Sequence, residues 1–179
     1  MADGILHLFS LADREPADQE KDISQIKPPI GGDFEKVILI DRAVKREDIT
    51  ICPGDFTDTD TDLQYVERDL DTKGSPEFPD NWMYRGTAGR QGKSFCMEVT
   101  ARALLIIFKD SASVSVGEAS VYVDGERKLT LDPHIVGWTH CNPVIVFRQK
   151  KAEKHHVEVR IREDGKDKDF TILGFGIVE

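Results

Sequence analysis

The sequence predicts an all-β fold: an antiparallel β-sandwich or jelly roll preceded by a short N-terminal helix. Three observations predict it. From Phe34 onward, apolar and β-branched residues come in short runs bounded by turn residues. One pair of runs is joined by Asp124-Gly125, a dipeptide that tolerates the positive φ angles of a two-residue hairpin turn. No helical periodicity separates the runs, which argues against strands alternating with helices in a parallel sheet.

The elements follow in order. In residues 1–13, Ile5, Leu6, Leu8, Phe9 and Leu11 fall mostly on one helical stripe, predicting a short helix. Residues 14–32 turn polar and then break at Lys27-Pro28-Pro29 and Gly31-Gly32, as an irregular linker does. The predicted sandwich occupies 33–179. Val37 to Ile40 and Ile49 to Cys52 are its first strands. Between Pro53 and Asn81 the chain is acidic and turn-rich with little periodicity, so a covering or functional excursion is expected there. Strands are then expected at Phe95 to Val99, Leu104 to Phe108, Ala119 to Val123, Arg127 to Leu131, Val144 to Phe147, His156 to Ile161 and Phe170 to Ile177. Glu163 to Lys166 turns the chain between the last two.

Composition narrows the function. Acidic residues outnumber basic ones 33 to 24, a net charge of −9, and such a surface repels polyanions. Nucleic acid and anionic membranes are therefore not expected as partners. No run approaches the length of about 20 apolar residues that spans a bilayer, and Asp3 stands where a signal peptide carries basic charge. Three widely spaced cysteines, Cys52, Cys96 and Cys141, fit reduced thiols better than a disulfide framework and favour a cytoplasmic setting. Cys96, between Phe95 and Met97, is expected in the core.

The carboxylates of Asp58, Asp60 and Asp62 alternate like the opening of a calcium loop, but Leu63 stands where glycine is needed and Asp69 where a glutamate closes the site. Calcium and a merely solvated acidic loop are the two readings. The segment from Asp132 to Asn142 gathers His134, Trp138, His140 and Asn142 between two strands. Zinc ligation by His134, His140, Cys141, His155 or His156 matches no standard spacing. Asp110-Ser111 and Asp132/His134 could contribute to a hydrolytic set, yet no nucleophile elbow or oxyanion-hole glycine pattern frames them. Aromatic rings beside hydrogen-bonding groups also suit sugar rings. Trp138 with His134, His140 and Asn142, and Trp82 with Asn81, Tyr84 and Arg85, are the two candidate clusters; core or interface packing is the competing reading of both tryptophans.

The stretches Phe34 to Val37 onward, Asn81-Trp82, Leu104 to Lys109, Val121-Tyr122-Val123-Asp124-Gly125 and His155 to Val159, in that order, resemble the β-sandwich accessory domain of bacterial SGNH/GDSL-type hydrolases. They are also similar to the jelly-roll domain of family-two carbohydrate esterases. Met1 to Phe9 resembles the final helix of an SGNH catalytic domain. The resemblance implies an SGNH-type catalytic domain, in cis or in trans, as partner and an acylated polysaccharide as ligand. It carries over no catalytic residue: no Gly-Asp-Ser block is present, Asp3 and His7 are one residue too far apart for an Asp-x-x-His pair, and Asp132 and His134 one too close. The expectation is a non-catalytic accessory or carbohydrate-binding module. A purely structural interdomain module and a minimal esterase built on Ser111 are the alternatives.

Overall fold

A computed structural model describes residues 10–11, 32, 34–62, 78–137 and 139–179. Of the expected N-terminal helix, Ser10 and Leu11 are described and helical; the rest, the linker up to Gly31, Leu63, Asp69 and Trp138 lie outside the described residues. Contacts divide the chain between Asp33 and Phe34, and the body from Phe34 to Glu179 is all-β. None of the described helices is long and apolar enough to cross a membrane.

The described strands are β1 (Ile38–Ile40), β2 (Thr50–Cys52), β3 (Trp82–Tyr84), β4 (Phe95–Asp110), β5 (Ala119–Val123), β6 (Glu126–Leu131), β7 (His140–Ile161) and β8 (Phe170–Val178). Every strand pairing is antiparallel, in the order β1-β8-β4-β7-β5-β6, with β2 added on β4 and β3 on β8. The sandwich-like arrangement comes from two long bent strands. The first half of β4 pairs with β2 and with the end of β7, whereas its second half, from Ala103, pairs with β8 and with the start of β7. Between the halves the β4–β7 register jumps: Ala101 faces Glu153, but Ala103 faces Arg148. Such an irregularity bends a strand pair and lets it pass from one layer to the other. The four segments expected at Phe95–Val99, Leu104–Phe108, Val144–Phe147 and His156–Ile161 are thus two continuous strands folded at a corner.

Side chains from the two layers meet in an aromatic core. Phe95 from the start of β4 stacks on Phe175 of β8 with centroids 5.4 Å apart, and Trp82 lies 5.3 Å from Phe95 and 6.0 Å from Phe175. Phe56 adds contacts to Phe95 and Tyr84. Rings at these separations contribute about 0.5–1.5 kcal/mol per pair beyond the area they bury. The excursion from Pro53 is therefore no simple surface loop: Phe56 is fully buried, and β3 follows it as a strand that sequence periodicity did not reveal.

Two turns are set by backbone conformation. Asp124 and Gly125 have φ of 52° and 82°, as expected for the turn that joins β5 to β6. Gly54, with φ of 57°, follows β2 so closely against β4 that a Cβ there would lie 2.1 Å from the Ser94 carbonyl oxygen. Only glycine fits that approach.

Candidate functional site

Three connections, 111–118 between β4 and β5, 132–139 between β6 and β7, and 162–169 between β7 and β8, meet at one end of the sandwich. Backbone hydrogen bonds stitch them together. Ser111 N donates to Pro133 O at 2.8 Å, Asp169 N to Ser115 O at 2.8 Å, and Gly117 N to Asp169 O at 3.0 Å. Lys168 Nζ donates to Val114 O at 2.5 Å. A groove of about 360 Å3 between these loops is lined by Val114, Val116, His134, Arg162 and Lys168, among others.

The strand register builds the polar floor of this end. Asp110, the last residue of β4, pairs with His140, the first of β7, and Phe108 pairs with Asn142. Period-two geometry puts Asp110, His140 and Asn142 on one face. Asn142 Nδ2 lies 3.1 and 3.3 Å from the two carboxylate oxygens of Asp110, and His140 Nδ1 lies 3.2 Å from Oδ2. Asp110 has no exposed surface, and burial raises its pKa against the lowering effects of Asn142 and His140.

In the neighbouring loop Asp132 Oδ1 accepts the His134 backbone N–H at 2.9 Å and lies 3.0 Å from His134 Nδ1. His134 Nε2 lies 3.1 Å from the Ser113 carbonyl oxygen. Both ring nitrogens therefore face acceptor oxygens, and neither is aimed at a hydroxyl. Ser111, the nucleophile of the hydrolytic alternative, is nearly buried and its Oγ accepts from Ser113 N at 3.2 Å. Around these polar groups the loops expose aliphatic side chains: Val114 is 82% exposed, Ile135 74% and Val136 40%. The arrangement sets an internally hydrogen-bonded polar cluster beside exposed apolar surface, and the His134 ring nitrogens are committed to Asp132 and Ser113 rather than to the Ser111 hydroxyl.

The structure thus brings His134, His140 and Asn142 to one end, as expected from their shared segment. Trp138, which falls between Gly137 and Thr139 in the same loop, is outside the described residues. The second expected cluster is differently placed. Trp82 is 3% exposed and Tyr84 fully buried, with its hydroxyl donating to Lys166 O at 2.9 Å, so both rings pack in the core and face other rings. Arg85 lies beside Asp58, Nε to Oδ2 3.6 Å.

The alternating aspartates are held by cations of the protein. Asp58 pairs with Arg90 at 3.2 Å as well as with Arg85. Asp60 is buried, 2.9 Å from Lys109 Nζ, and accepts from Thr171 Oγ1 at 2.7 Å. Asp62 shares the same ammonium at 3.1 Å. Among the described residues no group of three or more His, Cys, Asp or Glu is placed to hold a metal ion. The other described histidines sit elsewhere, His155 against Asp124 and His156 between Glu98 and Glu158.

Sequence reasoning missed two features. Lys109 as the partner of Asp60 left no local trace. The exposed Val114, Ile135 and Val136 did leave one: apolar residues inside segments whose Ser, Pro and Gly neighbours mark them as turns.

No family model matches the sequence, and no curated protein matches it. Solved structures do. A two-domain esterase (CEX) active on acetylated mannans, co-crystallized with mannopentaose, superposes with a TM-score of 0.60 at 18% identity over 98% of this chain and 44% of that one. A second crystal structure of a two-domain esterase (CEX) active on acetylated mannans gives 0.61 at 17% identity over 98% of this chain and 45% of that one. A family 35 carbohydrate binding module from an environmental isolate gives 0.51 at 17% identity over 79% of this chain and 93% of that one. The chain spans under half the length of the esterase it matches. At these identities the likeness establishes a shared fold, that of jelly-roll domains in carbohydrate esterases and carbohydrate binding modules.

Proposed function

We propose that this chain is a non-catalytic carbohydrate-binding accessory module of a carbohydrate esterase, and that it holds polysaccharide at the loop end bearing His134, His140 and Asn142. One observation carries the reading: a polar cluster locked by Asp110 and Asp132 lies beside exposed Val114, Ile135 and Val136 on loops fixed by hydrogen bonds. Sugars need both surfaces, since their hydroxyls seek directional partners while their C–H faces are apolar. Preorganised loops also lower the ordering cost of binding.

The partner in this reading is an SGNH/GDSL-type catalytic domain. Met1 to Phe9 support it by resembling the last helix of such a domain, and the shared fold with a two-domain esterase is consistent with it. Because that esterase acts on acetylated mannans, a mannan is the first ligand to try.

Affinity electrophoresis in gels containing plain or acetylated mannan tests the binding role. Retardation that is lost in Asn142→Ala or His134→Ala, with Trp138→Ala as a third variant, supports it; equal mobility in all gels overturns it. A second reading, a structural interdomain module, is favoured by the same exposed aliphatic side chains, which a catalytic domain would cover. Under that reading Val114→Ser and Ile135→Ser weaken association with the catalytic domain and leave mobility in the gels unchanged. Hydrolysis of nitrophenyl acetate that disappears in Ser111→Ala would overturn the non-catalytic assignment.

A further inference from the structure

We propose that Cys52 and Cys96 form a disulfide-forming thiol pair on the outer face of the sandwich, closed by thiol–disulfide exchange and opened by reductant. Both are free in the structure.

The pairing of β2 with β4 sets them opposite each other. Thr50 faces Glu98, Ile51 faces Met97 and Cys52 faces Cys96. In an antiparallel pair, directly opposed residues point to the same face, with Cα atoms about 4.5 or 5.5 Å apart according to the hydrogen-bonding pattern. Both separations fall within the range of about 4.4–6.8 Å that a disulfide spans. The face is the solvent side. Met97 is fully buried and Ile51 packs against the core, so the alternation turns their neighbours outward: Cys52 is exposed and Cys96 half-buried. This corrects the expectation that Cys96 belongs to the core.

The register is held beyond the three paired residues. Gly54 turns the chain directly after β2, Asp55 N donates to Lys93 O at 3.1 Å, and Lys93 N donates to Asp55 Oδ2 at 2.9 Å. These bonds stop β2 from slipping, and a slip by one residue would turn Cys52 to the other face.

The chemical roles of the two thiols differ. Burial, the carboxylate of Glu158 and Cys52 itself raise the Cys96 pKa, and Arg160 opposes them. The exposed Cys52 is therefore the attacking group and Cys96 the resolving one. The oxidant is a small-molecule disulfide such as oxidised glutathione. Cys52 thiolate attacks one of its sulfurs, forming a mixed disulfide and expelling one glutathione thiolate. Cys96 thiolate then attacks the Cys52 sulfur, closing the protein disulfide and expelling the second. Two protein thiols lose their protons and two electrons, and two glutathione thiols gain them. Among the described residues β2 hydrogen-bonds as a strand with β4 alone, so the bridge would clamp a short edge strand and the excursion that follows it.

The folded protein is incubated with oxidised glutathione, and its thiols are counted and its peptides mapped without reduction. The expected result is a fall from three free thiols to one, with a linked peptide joining Cys52 to Cys96, a rise of several degrees in the unfolding midpoint, and reversal of all three by dithiothreitol. Cys141→Ser should fall from two thiols to none, and Cys52→Ser should show the same midpoint with and without oxidant. Three persistent thiols, glutathione left unresolved on Cys52, or a linked peptide containing Cys141 would each overturn the proposal.

Discussion

Lys109 Nζ lies 2.9 Å from Asp60 Oδ2 with both side chains almost fully buried, at 7% and 6% exposed. The pair joins the excursion after β2 to the centre of the sheet, and it does not stand alone. Thr171 Oγ1 donates to Asp60, Asn81 Oδ1 accepts the Asp60 backbone N–H, and Asn81 Nδ2 donates to Asp60 O. Satisfied in this way, the pair orders the chain around Trp82. Half of it would be a buried unpaired charge.

Lys109→Met is therefore expected to cost about 3–5 kcal/mol, the usual penalty for stranding one member of a buried ion pair. Lys109→Met combined with Asp60→Asn should recover part of the loss, because no full charge then stays buried. Urea unfolding of the three proteins checks this. A single variant as stable as wild type would show that water already reaches the pair.

Much of the sandwich is legible in the sequence, and the reasons differ by element. β5 and β6 announce themselves as short runs joined by the Asp-Gly turn, and β8 as a mostly apolar run of nine residues. β3 is silent because it has three residues, Trp82, Met83 and Tyr84, all buried: too short a run to show either alternation or an apolar stretch. The corner of β4 and β7 reads as two turns because solvent-facing Lys150, Lys151, Glu153 and Lys154 look like loop residues while the backbone stays extended. Cys96 misleads for the opposite reason: its apolar neighbours in sequence lie on the other face. Of the candidate site, residues within one segment, His134, His140 and Asn142, can be found together. The pairing of Asp110 with His140 needs the sheet register, and that of Asp60 with Lys109 joins residues 49 apart.

Asp110→Asn is expected to stabilise the protein at neutral pH. Burial raises the Asp110 pKa above the ordinary 3.8, so the unfolded chain releases this proton more readily than the folded one. Stability from this group is present below 3.8 and is lost as pH rises through the folded value. An asparagine at 110 still offers Asn142 an acceptor and has no charge to bury. The unfolding midpoint of Asp110→Asn should match wild type near pH 3 and exceed it at pH 7; a lower midpoint at pH 7 would mean that the ionised carboxylate is needed to hold His140.

Gly54→Ala tests the turn after β2. Its φ of 57° and the Ser94 carbonyl 2.1 Å from the added carbon make the substitution both strained and overpacked. A cost of about 1–3 kcal/mol is expected from forcing a methyl group into filled space. Chemical denaturation measures it, and a neutral result would show that the β2–β4 pairing can open at this end without loss.

His156 supplies a pH-dependent cross-strand contact on the outer face. Its Nδ1 lies 2.5 Å from Glu98 Oε1, and its pKa is raised by Glu98 first and Glu158 after it, against desolvation. Glu98 is shifted the other way, lowered by its bond to His156. The histidine's contribution is complete below its unfolded value of 6.5 and disappears as pH rises through the folded one. The carboxylate's contribution is complete above 4.5 and disappears as pH falls through its folded value. The two overlap between 4.5 and 6.5, where both groups are charged. His156→Gln should therefore lower the unfolding midpoint most near the middle of that window and least above pH 8. Because the side chains are 40% and 38% exposed, added salt should shrink the difference further. A deficit that stays constant from pH 5 to pH 8.5 would assign His156 a packing role and remove its charge from the account.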